Sequence, residues 1–82
     1  MKVIIIDDEI KAIELLEYYL TDFFDDIEIS GKYTTIKDGL QHINSQNTDV
    51  IFLDINMPNG TGLDLLSLIE GKDICTIFLS LF

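Results

Sequence analysis

At 82 residues the chain is the size of one small domain, and its 48 % hydrophobic content is enough to build a core. Fifteen Asp and Glu against five Lys give a formal charge of −10, which excludes the phosphate backbone of nucleic acid and anionic lipid as direct partners of this segment. The single cysteine cannot close an internal disulfide, no leader precedes the first apolar run, and no run reaches the roughly 18 apolar residues that span a bilayer, so the expectation is a cytoplasmic domain without membrane contact.

In chain order, Val3-Ile4-Ile5-Ile6 leads straight into Asp7-Asp8-Glu9. Apolar runs without polar alternation read as strands buried on both faces, the pattern of a parallel sheet covered by helices. Ile10, Ile13, Leu16, Leu20 and Phe23 then recur at helical spacing opposite Lys11, Glu14 and Glu17, which predicts an amphipathic helix over 9–23. After Asp25-Asp26, residues 27–33 alternate with period two, as an edge strand with one wet face does. Thr35 with Asp38 resembles a capping box; it opens a shorter helix that points Leu40 and Ile43 inward and is weakened by Gly39. Residues 44–49 form a polar connection to Val50-Ile51-Phe52-Leu53, a second buried run that ends on Asp54, and Asn56-Met57-Pro58-Asn59-Gly60 is rich in turn formers. Leu63, Leu66 and Ile69 mark a third helix that stops near Gly71, and 74–79 closes the chain as another apolar strand. The order β-α-β-α-β-α-β with right-handed crossovers gives an α/β three-layer sandwich around a parallel sheet.

Two buried strands that each end on acid carry the chemistry. Ligands of such sheets gather at the carboxyl ends of the strands, and neighbouring strands would deliver Asp7, Asp8 and Asp54 to one rim. Like charges crowded there repel unless a cation sits among them. A hard divalent ion such as Mg²⁺ takes oxygen ligands of this kind, and a carboxylate beside it can act as a nucleophile towards phosphorus. An isolated acid pair after a strand is commonly loop solvation or a partner for a helix N-terminus, as Asp8 and Glu9 could be; the second acidic strand end tips the balance towards a site.

Ile5-Ile6-Asp7-Asp8-Glu9, with Phe52-Leu53-Asp54-Ile55-Asn56-Met57-Pro58 and Gly62, resembles the receiver domain of two-component response regulators over the whole chain. The resemblance implies a flavodoxin-like fold whose strand order 2-1-3-4-5 lacks its fifth strand and last two helices here, so that 1–82 is a receiver incomplete at its C-terminal end. It implies an input module rather than an enzyme: Asp54 accepts a phosphoryl group from a sensor histidine kinase, and Asp8 binds Mg²⁺ directly. Asp7 would act through a bound water and the Asn56 carbonyl would be a further ligand. Ser80 would be the switch hydroxyl that turns to the phosphoryl group, and Pro58 and Gly62 would shape the loop. Ile6-Asp7-Asp8-Glu9, Glu14-Leu15-Leu16 and Ile77-Phe78-Leu79-Ser80 resemble the receivers that precede LytTR-type DNA-binding domains, which implies transcription regulation through an output domain outside this segment.

The departures from the family carry expectations of their own. None of Lys2, Lys11, Lys32, Lys37 and Lys72 follows an apolar strand at the phosphoryl end, where the family's fifth strand brings a lysine, and Leu81 stands where the family usually has a small residue. Slow or incomplete phosphorylation follows. Without a fifth strand the fourth becomes an edge, and the uncharged run 76–81 invites a homo-oligomer through that edge.

Two other readings stay open: a Mg²⁺-dependent aspartyl phosphatase or phosphotransferase of haloacid-dehalogenase type, disfavoured by Asn56 where that class has a second Asp, and a degenerate receiver acting by protein association alone. His42 reads as a surface histidine, Cys75 as a small buried apolar residue, and Asn59-Gly60-Thr61 as a turn. Tyr18, Tyr19, Phe23 and Phe24 read as core and rim packing rather than a base-stacking platform, because no basic residues interleave them.

Overall fold

A computed structural model describes residues 1–57 and 62–79, the side chains of residues 62 and 63 excepted. The elements follow the expected order: β1 (Lys2–Ile6), α1 (Ile10–Phe23), β2 (Glu28–Tyr33), α2 (Ile36–Ser45), β3 (Val50–Asp54), α3 (Gly62–Leu68) and β4 (Cys75–Leu79). All three strand pairings are parallel and the sheet runs β2-β1-β3-β4, the flavodoxin-like arrangement. Central β1 has no wet face. Ile4 and Ile6 join Ile43, Ile51, Leu53, Leu65 and Ile69 on the side of α2 and α3, while Val3 and Ile5 join Ile13, Leu20 and Val50 under α1. That double burial is why its sequence is an unbroken apolar run.

α1 departs from its expected face at both ends. Ile13 and Leu20 are buried, but Ile10 and Phe23 are 63 % and 70 % exposed. A 14-residue helix is about 21 Å long and a 5-residue strand about 17 Å, so the helix overhangs the sheet. Tyr18, Tyr19, Phe23 and Phe24 are likewise exposed rather than packed in the core; Tyr19 and Phe23 stack on each other with ring centroids 6.0 Å apart. Glu9 stands at the N-cap without a side-chain cap bond, whereas Thr35 caps α2 as expected, its Oγ1 accepting from the Asp38 amide at 3.2 Å.

β2 breaks its period-two pattern. Ile29 pairs with Val3 but Gly31, not Ser30, pairs with Ile4, so Ser30 is the extra residue of a bulge. The bulge flips every later side chain to the other face. Ile29 packs under α1; Tyr33, four residues on, packs under α2.

Gly39 does more than weaken α2. A Cβ there would stand 2.9 Å from Ile6 Cγ1 and closer still to Ile6 Cδ1, so the glycine lets the helix lie on β1. Gly39→Ala should therefore destabilise the fold by about 1–3 kcal/mol through overpacking, against the roughly 1 kcal/mol that helix propensity alone would add. Urea denaturation of the two chains decides the sign, and a stabilised variant would show that propensity wins.

In α3 the buried positions are Leu65 and, just after the helix, Ile69, with Leu66 partly buried; the Leu63 side chain lies outside the described residues. Gly71 takes a φ of +87° after the helix, the left-handed conformation a glycine adopts freely. Cys75 is exposed, not buried as its apolar surroundings suggested. β4 is an edge strand of the described sheet, and its own Ile77 and Phe78 are exposed at 42 % and 38 %. Among the described residues no helix is long and apolar enough to cross a membrane.

Candidate functional site

β1 and β3 lie side by side with Ile6 opposite Leu53, so the residues that follow, Asp7 and Asp54, emerge together at the carboxyl rim of the sheet. Asp8 joins them. Each of the three offers a carboxylate oxygen, and these oxygens all lie within 4.8 Å of one another. Asp7 is buried at 2 % exposure, Asp54 is half-buried and Asp8 is exposed, so exposure rises across the cluster from Asp7 to Asp8.

Short backbone turns hold two of the carboxylates. The Glu9 amide donates to Asp7 Oδ1 at 2.9 Å, and the Asn56 amide donates to Asp54 Oδ1 at 3.0 Å. In both cases the acid caps the residue two positions on, which fixes the side chain without help from a distant element. Asp7 is also held through its backbone, its amide donating to the Tyr33 carbonyl at the end of β2 at 3.0 Å.

The electrostatics follow from burial and crowding. Burial pushes the Asp7 carboxyl above the usual carboxylate range; the charges of Asp54 and Asp8 and a hydrogen bond with Asp54 push the same way, and the Glu9 amide pulls part of it back. Three acids within reach of one another, one of them buried, form an all-oxygen donor set of the kind that hard divalent cations take. Among the described residues no lysine ion-pairs with any of the three; Lys32 instead pairs with Glu17 at 3.0 Å. Of the residues singled out from the sequence, Asp7, Asp8 and Asp54 come together, Asn56 braces Asp54, and Ser80, Pro58 and Leu81 lie outside the described residues.

His42 is a correction. It is 5 % exposed, not on the surface, because the face of α2 that carries it closes over the bulge of β2. Its Nδ1 lies 2.6 Å from the Tyr33 hydroxyl and its Nε2 3.4 Å from Ser30 Oγ. The signal was present in the sequence: a Ser-Gly pair inside a strand marks a bulge, and a bulge changes which side chains meet the helix.

The sequence profile of the response regulator receiver domain matches residues 3–81. The chain is 37 % identical over 72 residues to the transcriptional regulatory protein BtsR of Escherichia coli, covering 88 % of this chain and 30 % of that protein. It is 29 % identical over 70 residues to the sensory transduction protein LytT of Bacillus cereus, covering 85 % and 28 % respectively, so it spans less than a third of either relative. Among solved structures, the response regulatory domain of protein mrkE from Klebsiella pneumoniae superposes with a TM-score of 0.81 at 34 % identity, covering 95 % of this chain and 65 % of that one.

Proposed function

The chain belongs to the response regulator receiver domain family, and from that premise we propose that it accepts a phosphoryl group on Asp54 from the phosphohistidine of a sensor histidine kinase. The observation that carries this reading is the acid cluster itself: Asp54 ends a buried strand, is oriented by the Asn56 amide, and shares the rim with Asp7 and Asp8 within 4.8 Å. In the transfer, an Asp54 carboxylate oxygen attacks phosphorus, the phosphorus–nitrogen bond breaks, and its electron pair returns to the kinase imidazole, leaving an acyl phosphate on Asp54.

Mg²⁺ suits the donor set, with Asp8, Asp54 and the Asn56 carbonyl as ligands and Asp7 acting through water. When bound, it neutralises charge on the transferring oxygens. Asp7 and the Asn56 amide do their part without it, by holding the half-buried Asp54 carboxylate in place within the cluster. Ser80 is proposed as the hydroxyl that responds to the phosphoryl group. BtsR is named as a transcriptional regulatory protein, and the corresponding proposal here is transcription regulation in the cytoplasm, through an output domain of LytTR type outside these residues.

Incubation with a small phosphodonor and Mg²⁺, followed by mass spectrometry, tests the reading. We expect one phosphoryl group, on Asp54, at less than full occupancy, because the described residues supply no lysine contact for its oxygens. Label that persists in Asp54→Asn would sink the assignment. Metal binding with no label at all would favour a receiver that acts by association alone.

A further inference from the structure

Three features of β2 and α2 converge on one side-chain contact. The bulge at Ser30 turns Tyr33 to the α2 side of the sheet. Gly31 leaves the room: a Cβ there would stand 2.6 Å from the Tyr33 ring and 2.9 Å from His42 Nδ1. The Tyr33 hydroxyl then meets His42 Nδ1 at 2.6 Å, in the partly buried seam between sheet and helix. Each feature has a cost: an unpaired strand residue, a flexible glycine, and an imidazole out of water.

The donors run in one direction. Ser30 Oγ donates to the Val3 carbonyl at 3.4 Å, which leaves its lone pairs to accept from the His42 Nε2–H at 3.4 Å. For a neutral ring, Nδ1 is then the acceptor of the Tyr33 hydroxyl proton. The contact lies one residue's length from the rim, because the carbonyl of the same Tyr33 accepts the Asp7 amide at 3.0 Å. An unbroken path of bonds therefore joins α2, through His42 and Tyr33, to the backbone of the most buried acid of the cluster.

We propose that Tyr33 and His42 are positioning residues for the acid cluster: their bond fixes the end of β2, and through the Tyr33 carbonyl it fixes where Asp7 stands relative to Asp8 and Asp54. The inference rests on the reading of the cluster as a Mg²⁺ site. Outer partners that orient the groups around a metal change its affinity without touching it. Lys32 and Glu17 supply the contrast, since their ion pair ties the same stretch of β2 to α1 on the opposite face and leads to no acid of the site.

The test is the affinity for Mg²⁺ alone, followed by amide shifts in the 82-residue chain, with a melting curve for every variant. Tyr33→Phe and His42→Leu should each weaken binding by roughly threefold to tenfold, while Glu17→Gln stays within about twofold. His42→Gln, whose amide oxygen can accept the phenol proton, should recover most of the loss. The Tyr33→Phe/His42→Leu double variant should be no weaker than the worse single one, because both remove one bond. Unchanged affinity in the folded single variants overturns the proposal, as does an equal loss in Glu17→Gln. If Tyr33→Phe and His42→Gln both fail to fold, the bond is purely structural and the proposal falls. A wild-type chain without any Mg²⁺-dependent shift refutes the metal reading first, and this inference with it.

Discussion

With Mg²⁺ at ten times its dissociation constant, the chain should gain about 1.4 kcal/mol of stability, which for a domain of this size is a rise of roughly 6 to 11 °C in the melting midpoint. The gain comes from the crowding of Asp7, Asp8 and Asp54, whose mutual repulsion a bound cation turns into attraction. The two neighbouring acids then separate by variant. Asp8→Asn should abolish the rise, because it removes an exposed ligand. Asp7→Asn should raise the midpoint of the metal-free chain and blunt the response, since an amide at position 7 can still accept from the Glu9 amide but adds no charge to the buried end of the cluster.

The pH dependence has a definite sign. The Asp7 carboxyl keeps its proton to a higher pH in the folded chain than in the unfolded one. Between those two values the native state binds more protons, so this group's contribution to stability falls as pH rises and is restored on acidification. Mg²⁺ competes with that proton, and the metal's gain should grow with pH through the same window. An unchanged midpoint at neutral pH with millimolar Mg²⁺ would show that the cluster is not a formed cation site.

Much of this fold was legible in the sequence because parallel sheets write their burial plainly. Val3-Ile4-Ile5-Ile6 and Val50-Ile51-Phe52-Leu53 carry no polar alternation, and both strands proved to be the inner pair, with Asp7 and Asp54 delivered to one rim. The same rule misled at Cys75, where an apolar run belongs to an edge strand whose side chains are half in solvent; composition records what a strand could bury, not what lies over it. His42 failed for a different reason. Its burial depends on a one-residue bulge in another element, and period-two reading of β2 has no term for an extra residue. Gly39 shows the limit of propensity, because the atom that decides its role is Ile6 Cδ1, thirty-three positions earlier in the chain.

The largest change expected in solution is association. β4 has β3 on one side and no strand on its outer side among the described residues, so its outer backbone groups are open to another strand. Ile77 shares the α1 face of the sheet with Phe52, and beside α1 an open cavity of about 390 Å³ runs from Asp7, Glu9 and Lys11 at the acidic rim to Ala12, Leu15, Leu16, Tyr19 and Leu79. An unpaired, uncharged edge next to an open, largely apolar trough is the combination that natural sheets blunt with lysine or proline, and 75–79 carries neither. Pairing of two β4 edges across a two-fold axis would satisfy the backbone of both copies and cover part of both troughs in one step. Sedimentation at micromolar concentration should therefore find a dimer or larger species. Ile77→Lys places a charge on a side chain that is already 42 % exposed, so it should restore a monomer with little change in the melt. A stable wild-type monomer with a dispersed amide spectrum would overturn this expectation.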